Sequence, residues 1–174
     1  MEYRIEDAIP VLERTPKALD VLLRDLPEVW THQNEGPETW SPFDIVGHLA
    51  HGEKTDWIAR VEMVLSDAED KTFVPFDRFA QERDSVGKSM NQLLDEFTTL
   101  RTRNLEILKS KNITTDDLHK VGVHPALGIV SLSNLLSTWV AHDLGHIAQI
   151  NRVMAKQYKE EIGPWKEYIR IVQL

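Results

Sequence analysis

The chain has 174 residues, no cysteine and a formal net charge of −8 at pH 7. Its length favours a single domain over residues 1–174, and its 41% hydrophobic and 28% charged content is that of an ordinary globular protein. The acidic charge, with no basic run, argues against nucleic-acid binding. The lack of cysteine excludes disulfides and a protein thiolate as nucleophile or metal ligand.

Neither a membrane span nor a targeting segment is expected. No apolar run approaches the roughly 18–20 residues that a membrane-spanning helix requires. The segment Met1–Asp7 is too polar and too acidic for a signal peptide. We therefore expect a cytoplasmic protein without a membrane partner.

Apolar residues at helical spacing predict four helices and no β-strand, which indicates an all-α four-helix bundle. The first helix is predicted from about Glu6 to Leu26. At Pro16 it either kinks or gives way to a new helix capped by Thr15. A polar connection, residues 28–40, follows. The second helix is predicted to start at Ser41, in the sequence Ser-Pro-Phe-Asp, and to run to about Leu65.

The second half of the chain carries the other two predicted helices. The third is expected from about Asp77 to Leu108, with a bend at Gly87. Residues 111–130 are expected to form a long connection. Ser131 or Ser133 is predicted to cap the fourth helix, which extends to about residue 158.

The fourth predicted helix places His142 and His146 on its apolar stripe. Residues four apart lie one turn apart on the same helix face, so both imidazoles can reach one atom. Burying an imidazole without a polar partner is unfavourable, and a divalent metal ion is a partner that uses two of them. The pair therefore predicts a metal site. The alternative is two half-buried histidines with satisfied hydrogen bonds.

His48 is the predicted third ligand, because it lies one turn after Ile45 on or beside the buried side of the second helix. His51 is its rival, but the charged pair Glu53-Lys54 follows, which favours a position nearer the surface. Three neutral histidines without a carboxylate or thiolate leave an ion with open positions for water or substrate. This donor set is typical of catalytic sites.

The spacing of the histidine pair is also that of the His-Glu-x-x-His helix of zinc proteases. Asp143 stands where the general-base glutamate would be, but its side chain is shorter and the all-helical pattern is not that of a protease. Asp143 is either a partner of the metal ligands or a solvated helix residue.

Several segments, taken together and in this order, resemble the DinB/YfiT-like superfamily of metalloenzymes over nearly the whole chain. They are Leu12-Glu-Arg-Thr-Pro, Trp40-Ser-Pro-Phe-Asp-Ile-Val-Gly-His-Leu, Phe79-Ala-Gln-Glu-Arg, His124-Pro-Ala-Leu-Gly and Trp139-Val-Ala-His-Asp-Leu-Gly-His-Ile-Ala-Gln-Ile. The resemblance implies a four-helix bundle, often a homodimer, with zinc or nickel held by three histidines. The matching positions here are His48, His142 and His146.

The resemblance further implies a small-molecule substrate. Some members of the superfamily are thiol-dependent transferases or isomerases that use mycothiol or bacillithiol, and others are hydrolases. An open metal site fits both, because the ion can lower the pKa of a thiol or of water. A chain without cysteine would need a low-molecular-weight thiol as co-substrate, so we expect thiol transfer first and hydrolysis second. A binding bundle with a structural or vestigial metal is the non-enzymatic alternative.

No residue is marked by the sequence as a dedicated base. The candidates are Glu53, Asp143 and His124.

Overall fold

The computed structural model describes residues 3–174, and its main feature is a bundle of long helices. In chain order the helices are α1 (Ile5–Leu23), α2 (Glu28–Thr31), α3 (Pro42–Thr55), α4 (Trp57–Leu65), α5 (Gln81–Asp84), α6 (Met90–Ser110) and α7 (Leu132–Lys156). In the bundle, α6 packs against α1 and α3, and α7 packs against α1, α3 and α4. The predicted four-helix bundle is confirmed, with α3 and α4 together forming its second member.

Side-chain caps start two of these helices where the sequence predicts them. The Ser41 hydroxyl accepts from the Asp44 backbone N–H at 3.2 Å, and the Asp44 carboxylate accepts from the Ser41 backbone N–H at 2.9 Å. Ser131, rather than Ser133, makes the same reciprocal pair with Asn134 at the start of α7. Each pair satisfies backbone donors that the first turn leaves free.

The first two predicted helices differ from the structure in detail. No new helix starts at Thr15, because α1 continues through Pro16 and the Thr15 hydroxyl donates back to the Val11 carbonyl. The second predicted helix is interrupted at Asp56, whose backbone (φ −111°, ψ −72°) separates α3 from α4.

The third predicted helix starts too early in the sequence. Gly87 adopts φ +77°, a left-handed conformation that ends the preceding helical turns instead of bending one helix. The long helix α6 begins only at Met90, after the Ser89 side chain caps its first turn.

The prediction of no strands is wrong for the connection before α7. Strands β1 (Val121–His124) and β2 (Gly128–Ser131) form an antiparallel hairpin that pairs Val121 with Ser131. Thr72 extends this pairing with a bridge to Val123. Each strand has only four residues, too few to show a periodicity, although valine and isoleucine at 121, 123, 129 and 130 are typical of strands.

Gly122 lies in β1 where a side chain has no room. A Cβ atom built there would meet Phe73 Cε1 at 2.5 Å and Val64 Cγ2 at 3.1 Å. We expect Gly122→Ala to lower the free energy of unfolding by about 1–3 kcal/mol, measured by urea denaturation. Gly145→Ala on α7 is the matched control, because nothing lies within 4 Å of its added Cβ. Equal stability of the two variants would contradict the close packing of β1.

The apolar core consists of two clusters of buried residues. The first includes Leu12, Leu105 and Trp139, and the second includes Phe97 and Ile150. On α6, a buried charged residue lies between Phe97 and Leu105, as described below. Among residues 3–174, no helix is both long and apolar enough to span a bilayer.

Candidate metal centre

Three histidine side chains converge inside the bundle. His142 Nε2 lies 3.2 Å from His48 Nε2 and 3.1 Å from His146 Nε2. Two nitrogens bound to one tetrahedral zinc ion, each about 2.0–2.1 Å from it, are separated by about 3.3 Å. The spacing of the three nitrogens is therefore close to what one shared ion requires, although the assignment of these residues as metal ligands remains a prediction.

The helices place the three rings for different reasons. His142 and His146 are one turn apart on α7, so their meeting is local. His48 comes from α3 and its side chain joins them across the bundle. The rival His51 lies one turn later and turns toward α5, where its Nδ1 is 3.1 Å from an Asp84 carboxylate oxygen.

Hydrogen bonding at the cluster favours a cation at its centre. The Gln149 side-chain oxygen lies 2.9 Å from His146 Nδ1, which places that ring's proton on Nδ1 and leaves Nε2 as a lone pair. A proton on His142 Nε2 could then satisfy only one of its two short contacts. A cation shared by three lone pairs satisfies all three nitrogens at once, so the donor set fits a metal ion.

Burial keeps the three imidazoles neutral. It lowers the pKa of His48 and of His142 to about 3, and each ring would also repel a charge on its neighbours. Burial likewise lowers the pKa of His146. At neutral pH the rings are therefore uncharged, and one nitrogen of each ring has a lone pair that can bind a metal ion.

Two tryptophans pack against the cluster and limit its exposure. The Trp40 ring centroid lies 4.7 Å from that of His48, and the Trp57 centroid lies 5.2 Å from that of His142. Aromatic walls of this kind hold the imidazoles in place and exclude water from one side of the site.

The three histidines line a cavity of about 360 Å³ that also contains Asp56 and His124. Burial raises the pKa of the Asp56 carboxyl to about 6, against the opposing effect of Arg60, which donates to it at 2.7 Å. Asp56 was not predicted from the sequence as a site residue. A signal existed, because an aspartate inside a predicted helix favours a break or a cap.

His124 reaches the same cavity from the hairpin. Its Nδ1 accepts from the backbone N–H groups of Ala126 and Leu127 at 3.1 and 3.2 Å, so the ring proton is on Nε2. Burial and, after it, the positive charge of Arg60 lower the pKa of His124, which favours the neutral ring. His124 therefore presents an N–H donor.

The other two candidate bases, Glu53 and Asp143, lie in the interior and not on this cavity. Arg101 donates to Glu53 at 2.7 Å and to the two Asp143 oxygens at 2.6 and 3.0 Å. Glu53 also accepts from Asn104 at 2.9 Å and from the Trp139 indole at 3.2 Å. All four carboxylate oxygens of Glu53 and Asp143 accept hydrogen bonds, and neither side chain is exposed to solvent. The two residues are therefore placed to support the site and not to move a proton.

Arg101 connects all four members of the bundle. From α6 it reaches Glu53 on α3, Asp143 on α7 and, at 2.9 Å, the Leu12 carbonyl on α1. Arg101 was not predicted from the sequence as a functional residue. Its position was informative, since residue 101 continues the apolar stripe formed by Phe97 and Leu105 at helical spacing.

Comparison with known proteins agrees with this architecture. The profile of the DinB superfamily matches residues 11–150. YfiT from Bacillus subtilis, described as "a probable metal-dependent hydrolase with an unusual four-helix bundle topology", has a similar structure with a TM-score of 0.71. The two chains are 22% identical, and the alignment covers 91% of this chain and 87% of YfiT. No curated protein matches the chain in sequence. Since the superfamily profile spans most of the chain, the protein belongs to the DinB superfamily.

Proposed function

We propose that the protein is a hydrolase that depends on a divalent metal ion held by His48, His142 and His146. The observation that carries the proposal is the convergence of three neutral imidazole nitrogens beside a cavity that also contains a carboxylate, Asp56, and an N–H donor, His124. Three histidines are the protein ligands of known catalytic zinc sites, whose remaining position is open.

An ion bound there would supply Lewis-acid chemistry, lowering the pKa of water and polarising a carbonyl or phosphoryl group. The protein's own residues have separate tasks. Asp56, with a pKa of about 6, is largely ionised at neutral pH and can accept a proton from water in the cavity. His124 can donate its Nε2–H to an oxygen that gains negative charge in the transition state.

The presence of Asp56 in the cavity favours hydrolysis over thiol transfer, although thiol transfer was the first expectation from the sequence. A small thiol ionises readily once its pKa is lowered, whereas water benefits from a positioned base. The similarity to YfiT, itself described as a metal-dependent hydrolase, supports the same choice. Transfer of a low-molecular-weight thiol and a non-catalytic bundle with a structural metal are the competing outcomes of the tests below.

His142→Ala is expected to abolish stoichiometric metal binding, because it removes the histidine whose Nε2 lies within 3.2 Å of both others. Elemental analysis after dialysis against zinc or nickel measures the effect. His119→Ala is the matched control, since this exposed histidine lies outside the cluster. Wild-type protein without stoichiometric metal would contradict the metal site and therefore the proposed metal-dependent enzyme. Equal metal content in the two variants would do the same.

The reaction itself is tested with the metal-loaded protein. We expect turnover of activated esters or amides in zinc- or nickel-loaded protein without any thiol, and none in His142→Ala. Conjugation of cysteine or glutathione to a generic electrophile, with no hydrolysis in the absence of thiol, would instead identify a transferase.

A further inference from the structure

We infer that the histidine-lined cavity takes an anionic small molecule and that Arg78 binds its carboxylate. This inference deepens the proposed function and rests on it, because it names the class of substrate for the same cavity. It is carried by the placement of an arginine without a carboxylate partner beside the three histidines that are candidate metal ligands.

Arg78 lines the cavity together with the three histidines. Its guanidinium carbon lies 5.8 Å from the centroid of the Trp40 ring and 5.2 Å from that of Phe79. Such contacts stabilise a cation and orient its plane without using its N–H groups. The carboxylates of Asp56 and Asp77 pair with Arg60 and Arg83. Within residues 3–174, no ion pair closer than 4 Å includes Arg78, so its hydrogen-bonding groups are available to a ligand.

Arg60, the other arginine in this cavity, is already neutralised. It contacts Asp56 at 2.7 Å, and only about a tenth of each side chain is exposed. The charges of Arg60 and Asp56 therefore cancel within the cavity, whereas the charge of Arg78 does not. Arg78 is the cation that a ligand can use.

The charges around the cavity favour an anionic ligand. A histidine that binds a metal ion does so as a neutral imidazole, so a divalent ion held by three histidines would keep its full charge, and Arg78 adds one more. This positive cavity lies in a chain whose formal net charge is −8. A carboxylate would be attracted to both charges, and its two oxygens match the planar guanidinium.

A second cavity of about 740 Å³ shares Trp40, Arg78 and His146 with the first. It is lined by Glu38 and Glu82, which would repel an anion. The carboxylate of the ligand is therefore expected on the histidine side of Arg78. The second cavity has room for an uncharged or cationic remainder of the molecule.

Calorimetric titration of zinc-loaded protein with benzoate tests this inference, with benzamide as the uncharged analogue. We expect Arg78→Gln to weaken benzoate binding about tenfold, the effect of losing one charged hydrogen-bonded contact. Benzamide binding should change by less than about twofold. Arg103→Gln, which removes the same charge from an exposed site on α6, is the matched control and should leave benzoate binding unchanged.

Equal benzoate affinity in wild type and Arg78→Gln would overturn the inference, as would an equal loss of benzamide affinity or no saturable benzoate binding to the zinc-loaded wild type. Zinc content is measured in the same samples. Arg78-dependent benzoate binding without ester turnover would remove the proposed hydrolase and keep the anion site. Ester turnover together with benzoate binding that does not depend on Arg78 would keep the proposed hydrolase and remove the anion site.

Discussion

Replacing Arg101 by methionine is expected to lower the free energy of unfolding by about 3–5 kcal/mol. The substitution keeps an apolar stem of similar length but leaves Glu53 and Asp143 as two buried carboxylates without a countercharge. It also removes the donor to the Leu12 carbonyl, which ties α1 to the other helices. Loss of one partner from a buried ion pair costs more than the pair itself contributes, because the remaining charge stays desolvated.

Urea denaturation of the metal-free variant measures this loss. Arg103→Met, two residues further along α6 and exposed, is the matched control and should change stability by less than about 0.5 kcal/mol. Adding Glu53→Gln and Asp143→Asn to Arg101→Met should restore part of the stability, since it removes the uncompensated charges. Equal stability of the Arg101→Met and Arg103→Met variants would show that the network does not hold the helices together.

Asp56→Asn is expected to lower activity and to change the pH dependence of stability. If Asp56 accepts the proton from water, the variant should lose about 10²-fold or more in turnover of a hydrolysed ester, with metal content unchanged. Asparagine has nearly the same shape and cannot take up the proton. An unchanged rate would exclude Asp56 as the base.

The stability effect follows from the raised pKa of Asp56, about 6 in the folded protein against an ordinary value of 3.8. The folded state binds the extra proton more tightly than the unfolded state, so this contribution to stability is complete below about pH 3.8. It is lost as the pH rises through about 6. Between pH 4 and 7 the wild type should therefore lose about 2–3 kcal/mol relative to Asp56→Asn, which does not titrate.

Urea denaturation in the presence of a chelator, at several pH values between 4 and 7, measures this difference. Asp116→Asn, at an exposed position, is the control and should follow the wild type at every pH. A pH-independent difference between wild type and Asp56→Asn would mean that the carboxyl is not perturbed by burial.

Much of the bundle was predictable because its signals are local. The capping pair of Ser41 and Asp44 acts within one helical turn, and the stripe of α7 repeats over many residues. The hairpin before α7 was missed for the opposite reason. Its four-residue strands form because Thr72 and the buried Phe73 ring lie beside β1, which no local pattern in residues 121–131 contains.

The sequence by itself determined that His142 and His146 share one face of a helix, since four residues make one turn. It also made His48 the favoured third ligand. Only the tertiary structure brought His48 to the pair, 94 residues away in the chain from His142. Burial and charge pairing are likewise tertiary: they placed Glu53 and Asp143 around Arg101 and left Asp56 on the cavity. Helical spacing depends on neighbours in sequence, whereas desolvation and ion pairing depend on which helices meet.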